Sequence, residues 1–473
     1  MKVAIIGAGS IIFCKTLILD LMATPGLEPI EFALMAPSTR RTPQVEAFVR
    51  RVIAANGLPH SVYVTTDRRD ALRGADYVIA TFQVGGLTAW ERDYAIPLRY
   101  GVDQCIGDTL GPGGIFRALR TIPVAMAMAR DMEELCPQAV LLNYVNPMAM
   151  VCWALGKTRV PFVGLCHGVQ TTLDLIAGYV GVPKEEIDFL CAGINHMAWF
   201  LKLEHRGRDL YPILRARFEQ PEYYANEKVR GETLRHFGYM MTESSGHLAE
   251  YLPYFRKNKK ALDLYCDEPA FGGESGAALK WSQAVAARYE GRDLLAGEPS
   301  TLPPRSIEYC SYIIEALETG RVFRLNGNVI NGGMITNLPA DCCAEGPLFV
   351  DGAGIHKTVV GDLPPQCAAL NLTNINVQRL AVLAALEGDP EAVVHACALD
   401  PLTSAVLTLK EIREMASEML EAEREWLPQF EGKAIRPTPT IVIPPDVQRA
   451  PVPVDPALAI MARMSELGKG TQA

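Results

Sequence analysis

The stretch "KVAIIGAGS" (residues 2–10) decides how the first half of the chain is read. Lys2 to Ile6 form a short, nearly apolar run that predicts a buried strand, and glycines break it at once. Gly7 permits a tight turn, and Gly9 lets a pyrophosphate approach the backbone. Ser10 closes the turn before a helical pattern whose first amides face an anion. Gly7, Gly9 and Ser10 are therefore candidate dinucleotide contacts. The third glycine of that fingerprint is missing, with Ile12 in its place, so a plain strand–helix turn is the alternative.

Outward from this stretch, strand-like runs recur at 29–36, 77–84, 139–146 and 162–168, with helical patterns such as 42–56 and 116–135 between them. That alternation predicts an α/β fold with a Rossmann-type, doubly wound parallel sheet, and ligands at the carboxyl ends of its strands. After "FLCAGINHMAWFLKLE" (189–204) longer helices dominate, with strand-like pieces around 321–350. The expected division is a dinucleotide-binding domain over 1–190 and an α+β substrate domain over 191–473. Residues 433–473 form a proline-rich tail expected to wrap the surface before a short helix near 456–467.

The chain has 473 residues and a net charge of −9, and no basic run is dense enough to suggest a nucleic-acid or membrane partner. Its twelve cysteines are irregularly spread in apolar surroundings, as at Cys14, Cys152 and Cys397, which is no disulfide framework. The uncharged stretch 139–156 is interrupted by Asn143, Asn146 and Pro147 and predicts no membrane span. A cytoplasmic protein is expected.

The second strand of a dinucleotide fold ends in an acid that binds the adenosine ribose. Here it ends "LMAPSTRR" (34–41), with Ala36 and Pro37 in that place. Ser38, Thr39, Arg40 and Arg41 resemble a pocket for a 2′-phosphate, and a solvated helix start is the other reading. The cofactor is thus NAD or NADP.

"GLCHGVQ" (164–170) brings Cys166 and His167 to a strand end, and "GINH" (193–196) brings Asn195 and His196 about 30 residues later. A thiolate and an imidazole can hold a divalent cation and leave positions open for substrate oxygens. Structural histidines and a Cys166–His167 nucleophile–base pair are alternatives. The pair is disfavoured, because adjacent residues on a strand point to opposite faces. Asp108 of the loop "GDTLGPGG" (107–114) and Asp103 just before it read either as ligand-orienting groups or as plain turn residues. Arg117 and Arg120, one turn apart, read as contacts to an acidic sugar or as a solvated helix face.

"GAGS", "GDTLGPGGIFRALRTIP" (107–123), "NYVNP" (143–147), "GLCHGVQ", "GINH", "TESSGHLAEYLPYFRK" (242–257) and "LPPQCAALNLTNINVQRLAVLAAL" (363–386) occur in the order seen in glycoside hydrolase family 4. The chain resembles that family over nearly its whole length, closest to its α-galactosidase, α-galacturonidase and α-glucuronidase branch. The resemblance implies a substrate domain of lactate/malate-dehydrogenase-like type. It also implies hydrolysis of an unphosphorylated α-glycoside by transient oxidation at C3, deprotonation at C2, elimination, water addition and re-reduction. A manganese-type cation would sit on Cys166 and His196, the leaving-group acid would be His167, and Asn146 would bind the sugar. Asn146 also reads as an Asn-Pro turn residue. Asp108 and His247 are further substrate-contact candidates. For the C2 base Glu243 is preferred, with His247 and Tyr251 as competitors, and a capping cluster of Thr242 and Ser244 is the structural reading of that segment. A homodimer or homotetramer is implied. Acidic sugars are alternatives to galactose. A plain NAD(P)-dependent dehydrogenase and a non-catalytic dinucleotide sensor are the rival functions.

Overall fold

The structure, a computed structural model, describes residues 1–293, 295–453 and 455–469. Met1–Arg436 form one compact body and Pro437–Ala473 a second. In the second, residues 437–453 carry no helix or strand, and the helix expected near 456–467 is found at Pro456–Lys469.

Twelve strands build the first body: β1 (Lys2–Ile6), β2 (Glu31–Met35), β3 (Ser61–Thr65), β4 (Tyr77–Ala80), β5 (Val140–Asn143), β6 (Phe162–Gly164), β7 (Asp188–Ile194), β8 (Met197–His205), β9 (Arg208–Asp209), β10 (Phe323–Ile330), β11 (Cys343–Asp351) and β12 (Gly354–Lys357). They form one sheet in the order β3-β2-β1-β4-β5-β6-β10-β11-β7-β8-β9, with β12 on β11. The first six are parallel in the doubly wound order 3-2-1-4-5-6. Each predicted strand is present. β3, "SVYVT", escaped because Val62 is its only fully buried side chain, which leaves too short an apolar pattern to read.

The sheet does not stop where the parallel half ends. β10 joins β6 antiparallel, β11 joins β10, and β7 joins β11. The expected boundary at 190/191 falls inside β7, so both halves share one sheet. Where β10 meets β6 and where β7 meets β11 the ladder is a single residue pair, Gly164 with Asn328 and Glu345 with Gly193. Asn328 and Glu345 also face each other across β10 and β11. A buried row Gly164–Asn328–Glu345–Gly193 therefore crosses the sheet directly beneath the two predicted metal segments.

Two local readings need correction. The loop "GDTLGPGG" is loop only to Leu110, because Gly111–Gly114 are already the first turn of the helix Gly111–Leu135. Proline is tolerated there since a first-turn amide has no intrahelical partner. The face carrying Arg117 and Arg120 is buried, not solvated. Arg120 forms a fully buried triad, its Nη1 2.9 Å from both Asp93 Oδ1 and Glu423 Oε2. Its Nε donates to the Val84 carbonyl.

No described helix is long and apolar enough to cross a membrane. The twelve cysteines are unpaired, and all but Cys166 are buried.

Candidate active site

The turn after β1 sits against the chain leaving β4. Gly7 has φ +105°, and a Cβ there would lie 2.6 Å from the Phe82 amide nitrogen, so only glycine fits. A crevice of about 800 Å³ opens at these strand ends, lined by Gly7, Gly9, Ser10, Ala36, Pro37 and Arg41 among others. Arg40 lies outside it, in a small adjoining cavity.

A second cavity of about 340 Å³ shares Ser10, Thr81, Phe82 and Gln83 with the crevice. Its remaining wall includes Arg117, Asn146, Cys166, His167, His196 and Glu243. Cys166 follows β6, and His167 caps the helix Gly168–Val180. Both lie past the strand end, so alternation between strand faces does not separate them, and both line the cavity. Sγ of Cys166 nevertheless meets His196 rather than His167, at 3.3 Å from Nε2.

His196 occupies the apex of the tight β7–β8 hairpin with φ +64°. Its Nδ1 lies 3.2 Å from the Tyr251 hydroxyl and 3.3 Å from Thr109 Oγ1. Those partners fix the ring and leave Nε2 facing the cavity. Glu243 also has a left-handed backbone, at φ +74°. Two of the four described non-glycine residues with positive φ thus belong to this cluster, a strain that persists only where surroundings hold it. Gly168 has no room for a Cβ, which would lie 2.0 Å from Glu243 Oε1. Glycine after the Cys-His pair is what lets that carboxylate reach the thiol.

One donor atom from each of Cys166, His196 and Glu243 lies within 4.8 Å of the others. Two ligands with bond lengths of about 2.3 Å for sulfur and 2.1 Å for nitrogen would be 3.3 Å apart at an angle of roughly 100°. The Glu243 oxygen is 3.9 Å from both. A thiol, an imidazole and a carboxylate on one side of an open cavity fit a divalent cation with positions left for substrate. Burial pushes the Cys166 thiol well above its ordinary range, and nearby Glu243 adds to this, so a cation is what would favour its thiolate. Burial likewise lowers the His196 pKa, which favours the neutral ring a ligand must be, while neighbouring Glu243 and Asp108 pull it up.

Behind the cavity runs a charge relay. Burial alone would raise the Asp108 and Glu243 carboxyls, but buried histidines oppose it. His247 and Arg117 hold Asp108 far below the carboxylate range, and His196 and His247 hold Glu243 at about 2. Against its own burial, His247 is pushed up to about 10 by Asp108, 3.6 Å from Nε2, and by Glu243, 3.5 Å from Nδ1. Its folded pKa lies above the ordinary 6.5, so its stabilisation is complete below pH 6.5 and is lost as pH rises through about 10. In the metal-free protein the His247 ring is expected to stay cationic at pH 8, read from its nitrogen NMR shifts. A neutral ring at that pH would contradict the relay.

The remaining predicted residues divide by whether they reach the cavity. Asn146 does, its Nδ2 donating to Asp108 Oδ2 at 3.2 Å. Asp108, His247 and Tyr251 do not line it and instead hold the groups that do. Asp103 is structural, receiving Arg256 Nη2 at 2.9 Å. Ser244 caps its short helix and Thr242 accepts from the Ala198 amide, so the structural reading of 242–244 also holds. Burial and a charged partner divide Arg117: its Nη1 lies 4.0 Å from Asp108, yet Nε and Nη1 make no hydrogen bond within the protein.

Glu308, Glu345 and Asn371 are positioning residues that the sequence reading did not single out. Glu308, at the start of a distant helix, lies 3.4 Å from His167 Nδ1 and raises that half-exposed imidazole's pKa. Asn195 Nδ2 reaches Glu345 of β11 at 3.5 Å. Asn371, on the helix Pro365–Glu387, receives Trp199 Nε1 at 2.9 Å and donates to the Met197 carbonyl at 2.7 Å, pinning the His196 hairpin. Buried asparagines at 371 and 374 inside a long helix were the one available hint.

Residues 2–182 match the family model described as "Family 4 glycosyl hydrolase", and 191–403 match its C-terminal domain. An α-galactosidase of Rhizobium meliloti is 44% identical over 91% of this chain and 89% of its own. One from Bacillus subtilis is 40% identical over 91% of this chain and 99% of its own. The fold is shared with a 6-phospho-beta glucosidase of Thermotoga maritima solved with manganese, NAD+ and glucose-6-phosphate. That likeness has a TM-score of 0.73 at 23% identity, covering 90% of this chain and 99% of that one. With both family models matched along most of its length, this chain belongs to glycosyl hydrolase family 4, and it is a glycoside hydrolase.

Proposed function

We propose that the protein hydrolyses α-galactosides with a nicotinamide dinucleotide and Mn²⁺ as cofactors, by oxidation, elimination, water addition and re-reduction. The observation that carries this reading is the convergence of Cys166, His196 and Glu243 in a cavity that shares a wall with the glycine-turn crevice. Residues 1–190 supply most of the crevice together with Arg117, Asn146, Cys166 and His167, and the part from 191 supplies His196, Glu243 and the crevice wall at Trp281 and Ala286. Bound there, the dinucleotide would supply hydride chemistry at C3, and a cation on Cys166 and His196 would act as a Lewis acid toward the sugar oxygens.

The chain's own groups do the rest. Cys166 and His196 hold the cation, with Tyr251 and Thr109 fixing the His196 tautomer. Glu243, the one carboxylate on the cavity wall, takes the C2 proton once the neighbouring ketone has acidified it. His167, whose pKa is raised by the neighbouring Glu308, gives its proton to the leaving oxygen. Asn146 and the spare N–H groups of Arg117 bind sugar oxygens. A cytoplasmic homodimer or homotetramer belongs to the same reading.

The test is p-nitrophenyl α-galactoside with Mn²⁺, a thiol, and NAD+ or NADP+. Colour is expected only when every component is present, with no build-up of reduced cofactor. Accumulating reduced cofactor would make the protein a dehydrogenase. A second reading, an acidic sugar, is favoured by the unpaired Arg117 donors, and faster release from the α-glucuronide or α-galacturonide would establish it. Turnover in D₂O is expected to leave deuterium at C2 of the product, and a product without it would rule out elimination.

A further inference from the structure

The adenosine end of the crevice carries no carboxylate where one is needed to hold an unmodified ribose. β2 ends at Met35, and Ala36 and Pro37 line the crevice in the place from which an acid would bond the 2′-hydroxyl. An ideal Cβ on Gly9 would be 3.9 Å from that of Ala36, so the glycine turn and the end of β2 are in van der Waals reach. Without the acid, nothing at this point repels a 2′-phosphate, and that removes half of the usual discrimination against it.

The other half is attraction. Beyond Ala36 a cavity of about 140 Å³ is lined by Arg40, Arg41, Gln44, Glu290 and Arg292, and Arg41 and Ala286 line both it and the crevice. Three guanidiniums thus border one small space at the end of a dinucleotide-sized groove. Glu290 is the one carboxylate there, 3.4 Å from Arg40 Nη2, with both side chains at least 70% exposed. An exposed pair of that kind contributes little, so Arg40 can turn to a phosphate without a large loss. Guanidinium forks match phosphate oxygens in a way a hydroxyl cannot repay.

We infer that the dinucleotide this protein selects is the 2′-phosphorylated one, NADP+, held at its adenosine ribose by Arg40 and Arg41 with Arg292 adding positive charge. The inference rests on the reading of the crevice as a nicotinamide dinucleotide site. Trp281 lines that crevice and provides a fluorescence reporter independent of turnover. Titrating the full-length protein with each nucleotide, without sugar or metal, is expected to show NADP+ binding at least about tenfold tighter than NAD+. The ratio is expected to shrink as salt is raised, because the arginines are exposed. Arg40→Ser with Arg41→Ser should bring the ratio near one, and Ala36→Asp should reverse it. NAD+ binding as tightly as NADP+, or a ratio that survives removal of both arginines, overturns the inference while leaving the dinucleotide site intact. If neither nucleotide binds by calorimetry, the reading of the crevice fails and takes the inference with it.

Discussion

Replacing Cys166 by serine is expected to lower kcat/KM for the Mn²⁺-dependent hydrolysis by about 10³-fold or more, with dinucleotide affinity changed by less than about twofold. A Lewis acid contributes several kcal/mol to such a reaction, and each 1.4 kcal/mol or so is tenfold in rate. Serine keeps the size of the side chain but not its chemistry. A thiol beside a cation loses its proton, whereas an alkoxide is not accessible at neutral pH, so the anionic member of the Cys166–His196 ligand pair is removed. The dinucleotide should be spared, since Cys166 lines the smaller cavity and not the crevice. Metal titration followed by electron paramagnetic resonance separates the two effects. Equal losses of Mn²⁺ and dinucleotide binding would make Cys166 a structural residue.

The largest effect on stability is expected from Arg120→Ala, at about 3–5 kcal/mol. Arg120, Asp93 and Glu423 are fully buried, and removing the cation strands two acidic groups away from solvent. The Glu423 carboxyl is already pushed well above its ordinary range by burial and by Asp93, with Arg120 pulling it down. Arg120→Met, which keeps the volume and removes the charge, is expected to be nearly as damaging while both acids remain. Chemical denaturation gives the answer, and a loss below about 1 kcal/mol would mean that water or protonation relieves the site. Because Arg120 also holds the Val84 carbonyl at the crevice wall, weaker dinucleotide binding should accompany the loss.

The sequence showed five of the six parallel strands because those five are near-continuous apolar runs. It showed Cys166, His196 and Asn146 because those residues stand in short motifs at strand ends. What it hid depends on distance along the chain. No spacing rule connects Glu243 with Gly168, or Asn371 with the His196 hairpin, since those contacts form only when helices from the second half fold back on the sheet. The burial of Arg117 and Arg120 was hidden for a related reason. An arginine on a helix reads as solvent-facing unless its buried acidic partners are known, and Glu423 lies about 300 residues away. Tyr251 and His247 were read as chemical groups because of their residue types, while the fold places them one layer behind the cavity. The continuous sheet could not be read from either half alone, because β10 and β11 come more than 100 residues after the strands they join.

That continuity bears on how the enzyme changes with temperature and over evolutionary time. Cys166 and His196 stand two and three residues beyond Gly164 and Gly193, the outer members of the buried row that crosses the sheet. Their separation is therefore a property of backbone pairing rather than of two lobes closing on a hinge. Such a centre should already be set for its ion before any substrate arrives. It should also tolerate drift in surface loops far better than a volume change at Asn328 or Glu345, where one altered side chain would spread both ligands at once.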